Sequence, residues 1–110
     1  MSKLVIIESP YAGDIELNVK YARAAMRDSL LRGESPYASH LLYTQVGVLD
    51  DTIPEERELG ISAGFFWRQV ASATIVYQDL GISKGMQYGI DDAKKRGCPI
   101  EYRNLEGWNV

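Results

Sequence analysis

"ATIVYQDLGISKGMQYGIDDAKKRGCPIEYR", residues 73–103, reads as strand, loop, helix and strand. "ATIVYQD", residues 73–79, reads as a buried strand. Ser83 can cap a helix over "KGMQYGIDDAKKR", whose cations come late, where the helix dipole favours them, and Gly97 ends it. "CPIEYR", residues 98–103, supplies the next strand. A buried strand, a crossover helix and a second strand make the unit of a parallel sheet. Within it Gly81, Gly85 and Gly89 recur every fourth residue, although glycine inside a helix costs about 0.5–1 kcal/mol relative to alanine. The backbone there must come close to another element or to a ligand.

Outward from this unit the same order repeats. "KLVIIE", residues 3–8, is a second apolar run, and "SPYAGD" breaks it. Asp14 can cap a helix over "IELNVKYARAAMRDSLLR", with Ile15, Val19, Ala22, Met26 and Leu30 on one stripe and Gly33 as its stop. "SPYAS", residues 35–39, is short and holds a proline, so it reads as a weak or edge strand. "HLLYTQVGVLDDTI" has no clean period and reads as a long loop with room for a helical turn. Pro54 suits a first helical position, and "PEERELGISAGFFWRQVAS" carries its acids in the first turn. Trp108, in the tail "NLEGWNV", is expected to cover a sheet edge or a partner. The alternation predicts one α/β domain over residues 1–110: a three-layer Rossmann-like or flavodoxin-like fold with a small parallel sheet in the order 2-1-3-4.

Composition narrows the partners. A net charge of −3 with scattered lysines and arginines offers no basic field, which argues against nucleic acid. The single cysteine, Cys98, excludes an intramolecular disulfide and fits a reducing cytosol; it reads as a half-buried thiol. No apolar run approaches the roughly 20 residues that span a bilayer, so a soluble, cytoplasmic protein without a membrane partner is expected. One histidine and one cysteine far apart cannot make a zinc site, and the glycines match neither the dinucleotide fingerprint nor a phosphate loop of Walker type. Neither metal nor cofactor is expected. Phe65, Phe66 and Trp67 make an apolar helix face large for so small a domain, which predicts a homodimer or larger homo-oligomer.

In an open parallel sheet, ligands bind beyond the carboxyl ends of the strands where the strand order reverses. The loops meeting there are "SPYAGD" and "QDLGISKG", each leading into a helix N-terminus that favours an anion. Candidate ligand-binding residues are therefore Ser9, Pro10, Tyr11, Ala12 and Gly13 in the first loop, and Asp79, Gly81, Ser83, Gly85, Met86 and Gly89 in the second and the helix after it. The glycines would let backbone N–H groups approach the anion, and Ser9 and Ser83 would add hydroxyls. Ser83 and Asp14 are equally explained as helix caps, Tyr11 as core or as a stacking face for a base or sugar, and His40 as structural or as a ligand contact.

"VIIESPYAG", "ASHLLY" and "WRQVASATIVYQDLGISKGMQYGIDDAKKRGCPIEY" together resemble the nucleoside 2-deoxyribosyltransferase-like superfamily. More closely they are similar to small phage and bacterial proteins with S-P-[YF]-A-G-D and G-I-S-x-G-M signatures. The resemblance covers nearly the whole chain. It implies a nucleoside or nucleotide at the sheet edge and cleavage or exchange of its N-glycosidic bond by a glutamate of the last helix, in a motif like G-x-x-x-E-x-G-x-A. Laid over that motif, "GMQYGIDDA" matches Gly85 and Ala93 but puts Gly89 where the glutamate belongs.

Glycine cannot attack a sugar, so two expectations follow from the resemblance. One is a protein that binds a nucleotide-type small molecule without turnover, such as a phage protein that sequesters a nucleotide signal of host defence. The other is an N-glycosidase or deoxyribosyltransferase with a relocated carboxylate, Asp14 or Asp79, with Glu58 or a neighbouring subunit as further sources. Asp91 falls about 200° around the helix from Gly89, and Asp92 reads as a solvated charge.

Overall fold

In the computed structural model, which describes residues 2–108, the first five residues of the stretch 73–79 form a strand buried on both faces, and Gln78 and Asp79 lie in the loop after it. The elements are β1 (Leu4–Glu8), α1 (Ile15–Leu31), β2 (Ser35–Tyr37), α2 (Ser39–Leu42), α3 (Pro54–Trp67), a 3₁₀ turn (Arg68–Val70), β3 (Ala73–Tyr77), α4 (Lys84–Arg96) and β4 (Ile100–Arg103). All strand pairs are parallel and the sheet order is β2-β1-β3-β4, as the alternation predicts. Helix 3 ends earlier than the expected stretch, its last residues tightening into the 3₁₀ turn, and the expected loop after β2 opens with the short α2. No helix among the described residues is long and apolar enough to cross a membrane.

Side chains alternate across the sheet, and this alternation sorts the core. Val5 and Ile7 of β1 join Ile75 and Tyr77 of β3 against Tyr21 and Ala25 of α1. Val76 faces the other way, with Met86 and Ile90 of α4. Right-handed crossovers explain the division: the β1-to-β2 link runs opposite in direction to the later two, so α1 covers one face and α3 and α4 the other. By the same period of two, Ile6 and Glu8 point to the α3–α4 side.

The buried stripe of α1 differs from the apolar one expected. Asn18, Tyr21, Ala22, Ala25 and Ser29 are buried, while Ile15 is 44% and Leu30 58% exposed. Polar side chains can take the inner face because each finds a partner there. Asn18 Nδ2 donates to the carbonyls of Tyr11 and Ala12 at 2.9 and 3.1 Å. The Tyr21 hydroxyl donates to Asp79 Oδ2 at 2.5 Å, and Ser29 Oγ to Glu34 Oε1 at 2.7 Å. Trp108 closes this layer edge-on against Tyr21, with ring centroids 5.0 Å apart. On the outer surface Phe66 and Trp67 of α3 stay 69% and 43% exposed.

Arg103, at the end of β4, ties the same layer together. Its NH1 and NH2 donate to Glu34 Oε1 and Oε2 at 2.8 and 2.7 Å, and NH1 also donates to the Tyr77 hydroxyl. The Arg103 bond holds the Glu34 carboxyl at about 2, against an ordinary value of 4.5. A carboxyl depressed on folding contributes its stability in full above the unfolded value and loses it as pH falls through the folded one. The fold should therefore weaken between about pH 4.5 and 2. Glu34→Gln should flatten that dependence and cost roughly 1.5–3 kcal/mol at pH 7, because the buried Arg103 guanidinium loses its bidentate carboxylate and keeps only that of the exposed Glu101; urea melts across pH measure both.

Candidate functional site

Glu8 is the last residue of β1 and lies on the face that α3 and α4 cover. Its side chain is 15% exposed, and the room it needs comes from α4. A Cβ on residue 89 would overlap the Glu8 carboxyl, lying 2.7 Å from Oε1 and closer still to Oε2. The glycine at 89 is thus required by a close approach to another element. Gly81 has a different reason: at φ +87° it closes a turn, its N–H donating to the Gln78 carbonyl at 2.9 Å.

Arg68 holds the carboxylate. Its guanidinium donates through NH2 to Glu8 Oε2 at 3.0 Å, through NH1 to Thr74 Oγ1 at 2.5 Å and through Nε to Asp92 Oδ2 at 2.9 Å. Among the described residues Oε1 of Glu8 has no hydrogen-bond partner. Burial pushes the Glu8 carboxyl from 4.5 up to about 7, against the pull of Arg68. A carboxyl poised near neutrality in a cleft can hold either protonation state under working conditions, as acid–base and nucleophilic chemistry requires.

The cleft above Glu8 has a volume of about 180 Å³. A cavity of about 150 Å³ accepts a benzene ring, so the cleft has room for one ring of that size. Glu8, Ser9, Tyr11 and Ala12 form one wall, α2 contributes His40 with Tyr43 just after it, α3 contributes Phe65 with Arg68 after it, and Ser83, Lys84, Gly85 and Met86 close it at the start of α4. Ser9 Oγ and His40 Nε2 share a hydrogen bond of 2.6 Å. Burial lowers His40 to about 4, so the ring is neutral at pH 7 and serves as a hydrogen-bonding group without charge.

Of the residues singled out in the sequence, Ser9, Tyr11, Ala12, His40, Ser83, Gly85 and Met86 line the cleft. Met86 does so from the core, 1% exposed, while its sulfur accepts from the Ser83 N–H. Pro10, Gly13 and Gly81 lie outside the lining, and Gly89 roofs the Glu8 carboxyl. The two expected acids are elsewhere. Asp14 is an exposed cap that accepts from the Leu17 N–H, and Asp79 is turned to the α1 side, bonded to the Tyr21 hydroxyl and the Leu105 N–H. Glu58 is exposed on α3 and does not line the cleft. Asp92 is no solvated charge: its side chain is 10% exposed and bridges Arg68 and Arg96.

Glu8 and Arg68 escaped the sequence reading. The available signal was an acid ending a run that otherwise reads as covered on both faces, since a charge in that position needs a buried partner. Gly89→Ala should destabilise the fold by about 1–3 kcal/mol through overpacking against Glu8. In a Glu8→Ala background the same change should instead stabilise by about 0.5–1 kcal/mol, the ordinary helical gain of alanine over glycine. Denaturant melts of the four proteins of this cycle test the reversal of sign.

The comparisons with known proteins agree with this architecture. The 2-deoxyribosyltransferase of the psychrotolerant bacterium Bacillus psychrosaccharolyticus has a similar structure, with a TM-score of 0.71 and 14% sequence identity, covering 97% of this chain and 76% of that one. At that identity the likeness speaks for the fold, a deoxyribosyltransferase-like arrangement of helices around a four-stranded parallel sheet. No curated protein matches the sequence. A family model described as "Domain of unknown function (DUF7768)" matches residues 3–103, and the chain belongs to that family.

Proposed function

We propose that the cleft binds a nucleoside or nucleotide with its sugar over Glu8, and that the Glu8 carboxylate acts at the anomeric carbon to cleave or exchange the N-glycosidic bond. The observation that carries this reading is the overlap of the Glu8 carboxyl with the side-chain space of residue 89. In the superfamily the sequence resembles, that helical position bears the reacting glutamate; here a carboxylate enters the same space from β1. The solved relative of similar fold is a 2-deoxyribosyltransferase, which agrees with the substrate class.

The reaction balances with water or a second base as acceptor. An Oε1 electron pair forms a bond to C1′ as the C1′–N bond breaks, and the departing base keeps that bond's pair and takes a proton from solvent. Water, or a second base, then displaces the Glu8 oxygen from C1′ and releases its own proton. Arg68 keeps Oε2 occupied, which leaves Oε1 as the reacting oxygen. Tyr11, Tyr43 and Phe65 supply apolar surface for a flat ring, and Lys84 and Arg57 place cations at the rim for an anionic group.

A second reading is binding without turnover, as in sequestration of a nucleotide signal. It is favoured by the ion pair itself, because a carboxylate clamped to a buried guanidinium is a weaker nucleophile.

One experiment separates the two. The protein is incubated with ribo- and deoxyribonucleosides and their monophosphates, released base is followed by chromatography, and binding by calorimetry. Base release should rise with pH through about 7 as Glu8 ionises, and Glu8→Gln should lower it roughly 10³-fold or more while binding persists. Tight binding with intact ligand recovered would replace the first reading by the second, and neither binding nor release would overturn both.

A further inference from the structure

We propose that Arg68 is a positioning residue for Glu8: anchored by Thr74 on β3 and Asp92 on α4, its guanidinium pins one carboxylate oxygen, and the Asp92 carboxylate behind it sets how much of its charge Glu8 feels. This rests on the reading of Glu8 as the acting carboxylate.

The Arg68 side chain is 1% exposed, and a guanidinium removed from water needs its donors occupied. Each of its nitrogens is bonded to a different element, and the Phe65 ring lies beside it, 5.8 Å from its central carbon. A planar fork can serve partners in three directions at once, whereas a lysine ammonium offers a single point of charge. Arg68 is thereby fixed from β3 and α4 before it meets Glu8, so Oε2 is held in one place.

The charges are divided unevenly. Asp92 is shared between Arg68 and Arg96, whereas Arg68 is the single ion-pair partner of Glu8 among the described residues. Loss of the Asp92 charge would leave the field of Arg68 to Glu8 and favour the carboxylate. Loss of the Arg68 charge would leave Glu8 buried without a cation and favour the neutral acid. A merely structural role would not move Glu8 in opposite directions. The other charged groups of the cleft are Asp51 from the loop before α3, Glu56 and Arg57 from α3, and Lys84 from α4. Together with His40, Tyr11 and Tyr43 these remain in both variants, and none bonds to Glu8.

The test is a carbon NMR titration of the whole chain labelled with carboxyl-¹³C glutamate, with the Glu8 resonance assigned by its disappearance in Glu8→Gln. The midpoint should lie near 7 in the unaltered chain, fall by about one pH unit in Asp92→Asn and rise by about one unit or more in Arg68→Met. Shifts of the same sign, or none, would overturn the proposal. If Arg68→Met does not fold, Asp92→Asn decides alone: a lowered midpoint supports the proposal and an unchanged or raised one overturns it. Absence of base release from the unaltered chain, with the midpoints moving as described, would overturn the reaction assigned to Glu8 and leave the positioning by Arg68 standing.

Discussion

The guanidinium of Arg68 is the constraint on which the rest of the site depends. It sits where the 3₁₀ turn after α3 meets β1, β3 and α4, and its three bonded partners come from those three elements. A buried cation is tolerated only with its donors satisfied, so its presence dictates acceptors at the end of β1, at the start of β3 and on the inner side of α4. Glu8, Thr74 and Asp92 meet that demand, and the half-buried Cys98 thiol lies 3.5 Å beyond Thr74. Glu8 and Arg68, unlike Thr74 and Asp92, also line the cleft, which makes part of the packing network part of the site.

Placing the carboxylate on β1 rather than on α4 has a mechanical consequence. β1 is a central strand, and its carboxyl end stays in register with β3, Glu8 opposite Val76, so the ladder to β3 holds the Glu8 backbone in the sheet. From there the Glu8 side chain reaches the space that α4 leaves bare at Gly89. On the opposite face the network of Tyr21, Asp79 and Leu105, with the bidentate pair of Arg103 and Glu34, occupies its acids in holding α1 and the tail to the sheet. The acids on the α1 side thus join layers, whereas on the α3–α4 side Asp92 anchors Arg68 and Glu8 faces the cleft.

The fold was largely legible in the residues. Two β-branched runs without alternation, caps at Asp14 and Ser83, and a stop at Gly97 recover the strands, helices and sheet order, because these signals are local. The inner face of α1 was misread since Asn18 and Ser29 become inward residues only once Tyr11, Ala12 and Glu34 are there to bond them. Asp79 was misplaced for a related reason: its loop begins at the sheet edge as expected, yet the Tyr21 hydroxyl and the Leu105 N–H turn its carboxylate to the α1 side.

The sequence by itself determined the α/β class, the order of the parallel sheet and the unusual bareness of position 89, since strand runs, caps and glycines act through the backbone near them. Only the tertiary structure decided which acid fills that space. The choice of Glu8 follows from its pairing with a guanidinium 60 residues away in the chain and from a helix crossing above it, contacts that arise when the sheet and both crossovers are assembled.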